Sequence, residues 1–209
     1  MDGLATDGTA IRDADELRSH FGTVHPFAQN KVLTRLDSFC RDFIALSPFL
    51  VLATSDGTRA DASPRGDAPG FCQILDDATL LIPERRGNNR VDSFGNLLAS
   101  PAVGLIFFVP GINETLRVNG TGRITREPGL LEPQAVQGKV PTAGLVVDVT
   151  EAFFHCGKAL IRSKLWDASA QVERDAFPTL GRIVAEQTRS IGVAEADAVM
   201  AEGYRTRLY

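Results

Sequence analysis

With 209 residues, 44% of them hydrophobic, the chain has the length and apolar content for one large domain with its own core and no staple. Its formal net charge of −4 excludes a protein that lives on nucleic-acid backbones, which demand a concentrated excess of Lys and Arg, so any anion site must be local. Cys40, Cys72 and Cys156 are odd in number and widely spaced, with no CxxC pair to suggest zinc or redox chemistry, and read as free thiols in a reducing cytoplasm.

The N-terminus lacks a basic region followed by an apolar run, and nowhere do about 18 apolar residues follow one another. A cytoplasmic protein without a membrane partner is therefore expected. The first ten residues are small and polar; Asp13 or Asp15 then caps a short helix through Phe21, and Pro26 opens a longer one. Over residues 27–46, Phe27, Val32, Leu33, Leu36, Phe39, Cys40, Phe43 and Ile44 recur at intervals of three or four, as one helix face requires. Ser47-Pro48 ends that helix.

Short β-type runs follow at 49–55, 58–63, 70–75 and 79–83, with turns at Asp56-Gly57 and Asp76-Asp77. After a helix over 89–99 come strands at 102–109, 114–125 and 144–156. Six or seven strands joined mostly by short turns predict an antiparallel meander or Greek key closed into a small barrel. The last fifty residues return to helical composition, with breaks at Pro178 and Gly192, and are expected to wrap the barrel. The expectation is one structural domain in three parts: a helical arm packed on the barrel (1–48), the barrel (49–166) and a helical extension (167–209).

Three segments carry chemistry. Thr79-Leu-Leu-Ile-Pro83 delivers Arg85, Arg86, Gly87, Asn88, Asn89 and Arg90 to a helix start, where Asn88 or Asn89 suits an N-cap and arginines with free N–H groups suit an anion such as phosphate. A solvated basic loop with ordinary capping fits the same residues. Strand alternation next places Asp61, Ser63 and Arg65 on one face, so that Arg65 points either into a pocket shared with that loop or toward Asp67. Finally, a helix after Gly157 would put Lys158 and Arg162 one turn apart on a common face, with Trp166 one turn further. That pattern suits a phosphate and ring system, or an amphipathic helix capped by Trp. His155 and Cys156, as strand neighbours, face opposite ways, and no third metal ligand is evident. GxGxxG, the Walker loop and the GxSxG elbow are absent, so a bound cofactor rather than a protein nucleophile is the expected source of any chemistry.

In order along the chain, Phe49-Leu-Val-Leu-Ala-Thr54, Ala62-Ser-Pro-Arg-Gly-Asp67, Leu80-Leu-Ile-Pro83 with Arg86-Gly-Asn-Asn-Arg90, Glu114-Thr-Leu-Arg-Val-Asn-Gly120, and His155-Cys-Gly-Lys158 with Arg162-Ser-Lys-Leu-Trp166 resemble the pyridoxamine 5′-phosphate oxidase-like flavoproteins, in a branch of probable FMN-dependent enzymes. The resemblance implies a mainly β (α+β) fold, a six- to seven-stranded antiparallel split β-barrel of Greek-key type with N- and C-terminal flanking helices. It implies FMN at a homodimer interface. Ser63, Arg65, Arg86, Asn88, Asn89 and Arg90 would then surround the phosphate and ribityl chain. Lys158, Arg162, Ser163 and Trp166 would approach from the C-terminal part, which the partner subunit would supply. Pyridoxamine-phosphate oxidases close with Arg-Leu-x-Pro, whereas this sequence ends Tyr204-Arg-Thr-Arg-Leu-Tyr209, a departure that speaks against vitamin B6 as substrate.

The function expected is an FMN-dependent oxidoreductase of an unidentified small molecule. The alternatives are a non-catalytic flavin-binding or sensing module and a related barrel using deazaflavin or haem. A homodimer is also expected from the apolar strands Leu105-Ile-Phe-Phe-Val109 and Gly144-Leu-Val-Val-Asp-Val149, which read as buried on both faces.

Overall fold

In the computed structural model, which describes residues 10–209, helices begin where a side-chain cap meets apolar periodicity. Asp13 accepts the Glu16 N–H at 2.8 Å and opens α1 (Ala14–Phe21). Proline at its first turn starts the short α2 (Pro26–Asn30), and Asp37 accepts the Cys40 N–H at 2.8 Å to open α3 (Ser38–Leu46). The single helix expected over 27–46 is therefore two. Between them Leu33 exchanges backbone hydrogen bonds with Ala152, at 2.9 and 2.8 Å, and Leu36 donates its N–H to the Asp77 carbonyl while burying its side chain. Tertiary pairing overrides helical periodicity there. The chain divides into two compact units, one ending at Val32 and the other running from Leu33 to Tyr209.

The second unit holds a seven-stranded, wholly antiparallel sheet: β1 (Phe49–Ser55), β2 (Ala60–Gly66), β3 (Gln73–Ile74), β4 (Thr79–Pro83), β5 (Ala102–Phe108), β6 (Thr115–Thr125) and β7 (Gly144–His155). Its order is β2-β1-β5-β6-β7-β4-β3. The β1–β2 hairpin turns where Asp56 Oδ1 accepts the N–H groups of Thr58 and Arg59 and Gly57 takes a φ of 90°. Among the described residues no strand pairing joins β2 to β3 or β4, so the barrel is split along that line. It is the seven-stranded split β-barrel with flanking helices that the sequence led us to expect.

Alternation sends Leu50, Leu52, Val103, Leu105, Phe107, Leu116, Val118, Leu145 and Val147 into one core, sealed by Cys40, Phe43 and Ile44 of α3. On the other face, Leu81, Val146 and Leu131 are also buried, with Leu131 lying in the short α5 (Pro128–Leu131). Part of the apolar surplus on β7 is thus covered within the chain itself. The remaining surplus is on β5, where Ile106 and Phe108 are half-buried and Phe108 contacts the Phe49 ring at 6.1 Å. At the bulge between Asn119 and Gly120, a Cβ on Gly120 would lie 2.1 Å from the Asp148 carbonyl oxygen, so only glycine fits.

Helix α4 (Asp92–Ala99) lies against β1, where buried Asn96 donates its amide to Thr54 Oγ1 at 3.0 Å. Beyond β7 come α6 (Lys158–Ser163) and two helices, α7 (Leu180–Thr188) and α8 (Val193–Thr206), which pack closely where Gly181 faces Asp197 and bury Ala185 and Ala196. No described helix is long and apolar enough to cross a membrane.

Candidate functional site

The end of β2 and the chain leaving β4 face each other across the split. On β2 the alternation places Asp61, Ser63 and Arg65 together on the half-buried side. After Pro83, the chain carries Glu84 and Arg85 back toward them. Arg65 Nε lies 3.3 Å from Glu84 Oε2, and Arg85 Nε lies 2.5 Å from Asp67 Oδ2. Two crossed ion pairs therefore hold the strand ends where no backbone ladder does. Of the two alternatives for Arg65, the pairing with Asp67 is not made, because Asp67 goes to Arg85; Arg65 instead faces the space shared with the loop, held by Glu84 and by Ser63, whose Oγ accepts from Arg65 at 2.5 Å.

The burial of the pairs differs. Asp67 is 3% exposed at its side chain and Arg85 18%, whereas Arg65 and Glu84 are 17% and 26% exposed. Burial pushes the Asp67 carboxyl up, but the Tyr209 hydroxyl at 2.7 Å, the Ala68 N–H and Arg85 together outweigh it and hold Asp67 below its ordinary range. The same hydrogen bond raises the Tyr209 hydroxyl. Glu84 shows the opposite balance: burial raises its carboxyl, and Arg65 only partly offsets that.

A cavity of about 480 Å³ opens between these groups. Asp61, Ser63 and Arg65 form one wall, and Glu84, Arg85, Arg86, Asn88, Arg90 and Ser93 form the other. Arg85 also donates to the Gln134 carbonyl at 2.7 Å, and Ser93 Oγ donates to Asp61 at 2.7 Å. Arg90 pairs with Asp92 at 2.7 Å in an exposed contact, with side-chain exposures of 73% and 49%. Arg86 alone of the four arginines makes no ion pair among the described residues.

The helix start differs from expectation. Neither Asn88 nor Asn89 is the N-cap of α4; that position belongs to Val91, which is left-handed at φ 50° and makes no side-chain cap bond. Asn88 Oδ1 instead accepts the Arg90 N–H at 3.0 Å, and Asn89 is also left-handed at φ 59°. The two left-handed residues flank Arg90, whose side chain lines the cavity while pairing with Asp92. A left-handed β-branched residue costs about 1–3 kcal/mol, and such strain gathers at ligand clamps.

Of the ten residues singled out from the sequence, Ser63, Arg65, Arg86, Asn88 and Arg90 line this cavity. Asn89 lies with Arg86 and Asn88 on a neighbouring cavity of about 520 Å³. Lys158, Arg162, Ser163 and Trp166 line neither. Lys158, Arg162 and Ser163 are exposed on α6, and Trp166 donates its Nε1–H to the Ile112 carbonyl at 2.8 Å. Sequence reasoning missed Glu84, Ser93 and Tyr209. For Glu84 the signal was present, since it is the one acid in a run of cations directly after a strand.

Comparison with known proteins adds the following. The family model for pyridoxamine 5′-phosphate oxidase matches residues 36–156, more than half of the chain. No curated protein matches it. Among solved structures, HupZ of Group A Streptococcus is 18% identical over 57% of this chain and 93% of its own, with a TM-score of 0.47. A Clostridium acetobutylicum protein related to general stress protein 26 is 10% identical over 55% of this chain and 84% of its own, with a TM-score of 0.42. An F420 reductase is 14% identical over 55% and 94%, with a TM-score of 0.40.

Proposed function

This chain belongs to the pyridoxamine 5′-phosphate oxidase family, and from that premise we propose that it binds FMN in the cavity between β2 and residues 84–93 and acts as an FMN-dependent oxidoreductase on a small molecule. The supporting observation is the convergence of Arg65, from a strand end, with Arg86 and Arg90, from the loop before α4, on one space of about 480 Å³. That volume falls within the range of about 300–1,000 Å³ usual for small-molecule pockets.

The residues present fit a flavin phosphate. Arg86 brings a positive charge that no carboxylate among the described residues pairs with, and Arg90 leaves its exposed partner Asp92 at little cost, because such surface pairs are worth about 0–1 kcal/mol. Arg65 is held by Ser63 and Glu84 and so meets a phosphate with its guanidinium already placed. Bound FMN would supply hydride or electron transfer. Glu84, whose carboxyl burial has raised, holds a proton more readily than an ordinary glutamate and lines both cavities.

Two copies complete the proposal. Phe49, Ile106 and Phe108 leave apolar surface on the outer face of β1 and β5, and exposed Lys158, Arg162 and Ser163 lie away from both cavities of their own chain. In a homodimer, α6 of the second copy would bring such residues to the flavin. Purified protein should show a flavin absorbance spectrum, release FMN identified by mass, and scatter light as a dimer. A deazaflavin or haem spectrum, or a colourless protein that takes up no FMN on titration, would refute the cofactor.

A further inference from the structure

A second cavity, of about 520 Å³, shares residues 84–88 and Val91 with the flavin cavity and adds a wall that the flavin proposal does not use. Its near wall is the segment from Glu84 to Asn89, and its far wall is residues 139–143, which approach β7. The Glu84 N–H donates to the Ala143 carbonyl at 3.0 Å and ties the two walls at their base. A two-residue turn sets the far wall: Gln137 and Gly138 are both left-handed, at φ 52° and 75°, and Val136 and Lys139 exchange backbone hydrogen bonds at 3.1 and 2.9 Å. This geometry places Lys139 and Val140 together at the rim, where Lys139 Nζ donates to the Tyr209 main-chain oxygen at 2.8 Å.

The lining has two characters. Val91, Phe94, Val140, Pro141 and Tyr209 supply an apolar surface. Arg86, which lines both cavities, has no ion-pair partner among the described residues, Lys139 adds a second cation whose Nζ is held by the Tyr209 main-chain oxygen, and the Glu84 carboxylate is engaged by Arg65. A low-dielectric wall beside uncompensated positive charge favours an anion whose body is apolar, since the body fills the groove while the head group neutralises the cations. We propose that this cavity is a second small-molecule site, adjoining the flavin cavity across residues 84–88, and that it takes apolar organic anions of the aromatic or aliphatic carboxylate class. The site extends the flavin assignment, and its existence does not depend on it.

2-Naphthoate and its uncharged analogue 2-naphthamide test this by calorimetric titration into the whole protein, with and without added FMN. Naphthoate is expected to bind saturably in both cases, naphthamide at least tenfold more weakly, and Lys139→Met to weaken naphthoate about tenfold while leaving FMN affinity unchanged. Equal binding of the two probes, an unchanged naphthoate affinity in Lys139→Met, or displacement of FMN by naphthoate would overturn the proposal. Naphthoate binding by a protein that takes up no FMN would support this site and refute the flavin assignment alone.

Discussion

Replacing Arg65 and Arg90 by alanine, one at a time, separates a phosphate clamp from two solvated arginines. A charge-assisted arginine contact to phosphate is worth about 1.5–3 kcal/mol, so each substitution should raise the FMN dissociation constant roughly ten- to hundredfold. Stability should divide the two. Arg90 and Asp92 are mostly solvent-exposed, so Arg90→Ala changes the unfolding free energy by less than about 1 kcal/mol. Arg65 is only 17% exposed and its loss leaves Glu84 without a cation. Burial already raises the Glu84 carboxyl and Arg65 is the group that offsets this, so the substitution leaves a half-buried carboxyl without its partner and should cost about 1–3 kcal/mol. Flavin fluorescence quenching reads the affinities and urea denaturation reads the stabilities. If both variants bind FMN as tightly as the parent, the phosphate does not sit between β2 and the loop. If Arg65→Ala alone loses affinity, the loop serves only as a wall.

Three further outcomes follow from contacts described above. Thr54→Val strands the buried Asn96 amide and should destabilise the fold by about 1–3 kcal/mol, measured by chemical denaturation; an unchanged midpoint would mean that the amide finds another partner. Asp67, held below its ordinary value in the folded chain, contributes stability that is complete above the ordinary carboxylate range and drains away as pH falls through the lower folded value. Asp67→Asn should therefore lower the melting temperature at neutral pH and flatten its decline in acid, whereas parallel curves would contradict the assignment. A thiol reagent should label Cys156 rapidly in the folded protein and Cys40 and Cys72 only on unfolding. Burial, reinforced by Asp37, pushes the Cys40 thiol up to about 12, and burial alone raises Cys72, so three fast thiols would refute the packing of α3.

The strands were legible because half-buried alternation is a local signal: residues 49–55 and 79–83 coincide with β1 and β4, and Asp-Gly marks their first turn. Helix starts at Asp13 and near Pro26 were legible for the same reason, since a cap acts over three residues. What local pattern cannot carry is a partner distant in sequence. Periodicity over 27–46 was real, yet Leu33 answers to Ala152, more than a hundred residues away. At the site, residue type and strand face brought Ser63, Arg65, Arg86, Asn88 and Arg90 to one cavity, while the choice of Glu84 for Arg65 and Asp67 for Arg85 depended on which strand ends meet. The N-cap was misplaced because Asn88 spends its side chain on Arg90 and strain at Val91 replaces a capping bond.

Closing the barrel with charges has a consequence for how it opens. A hydrogen-bonded ladder parts only by breaking several amide contacts at once, whereas the joint between β2 and β4 comes apart one side chain at a time and responds to ionic strength. The two stitches are graded: the Arg65–Glu84 pair has more access to water and loosens first in salt, while Arg85–Asp67, shielded and braced by the Tyr209 hydroxyl, persists. Salt should then widen the gap between β2 and the chain after β4 before it unfolds the sheet, which makes access to the cavity there, rather than melting temperature, the property most sensitive to ionic surroundings.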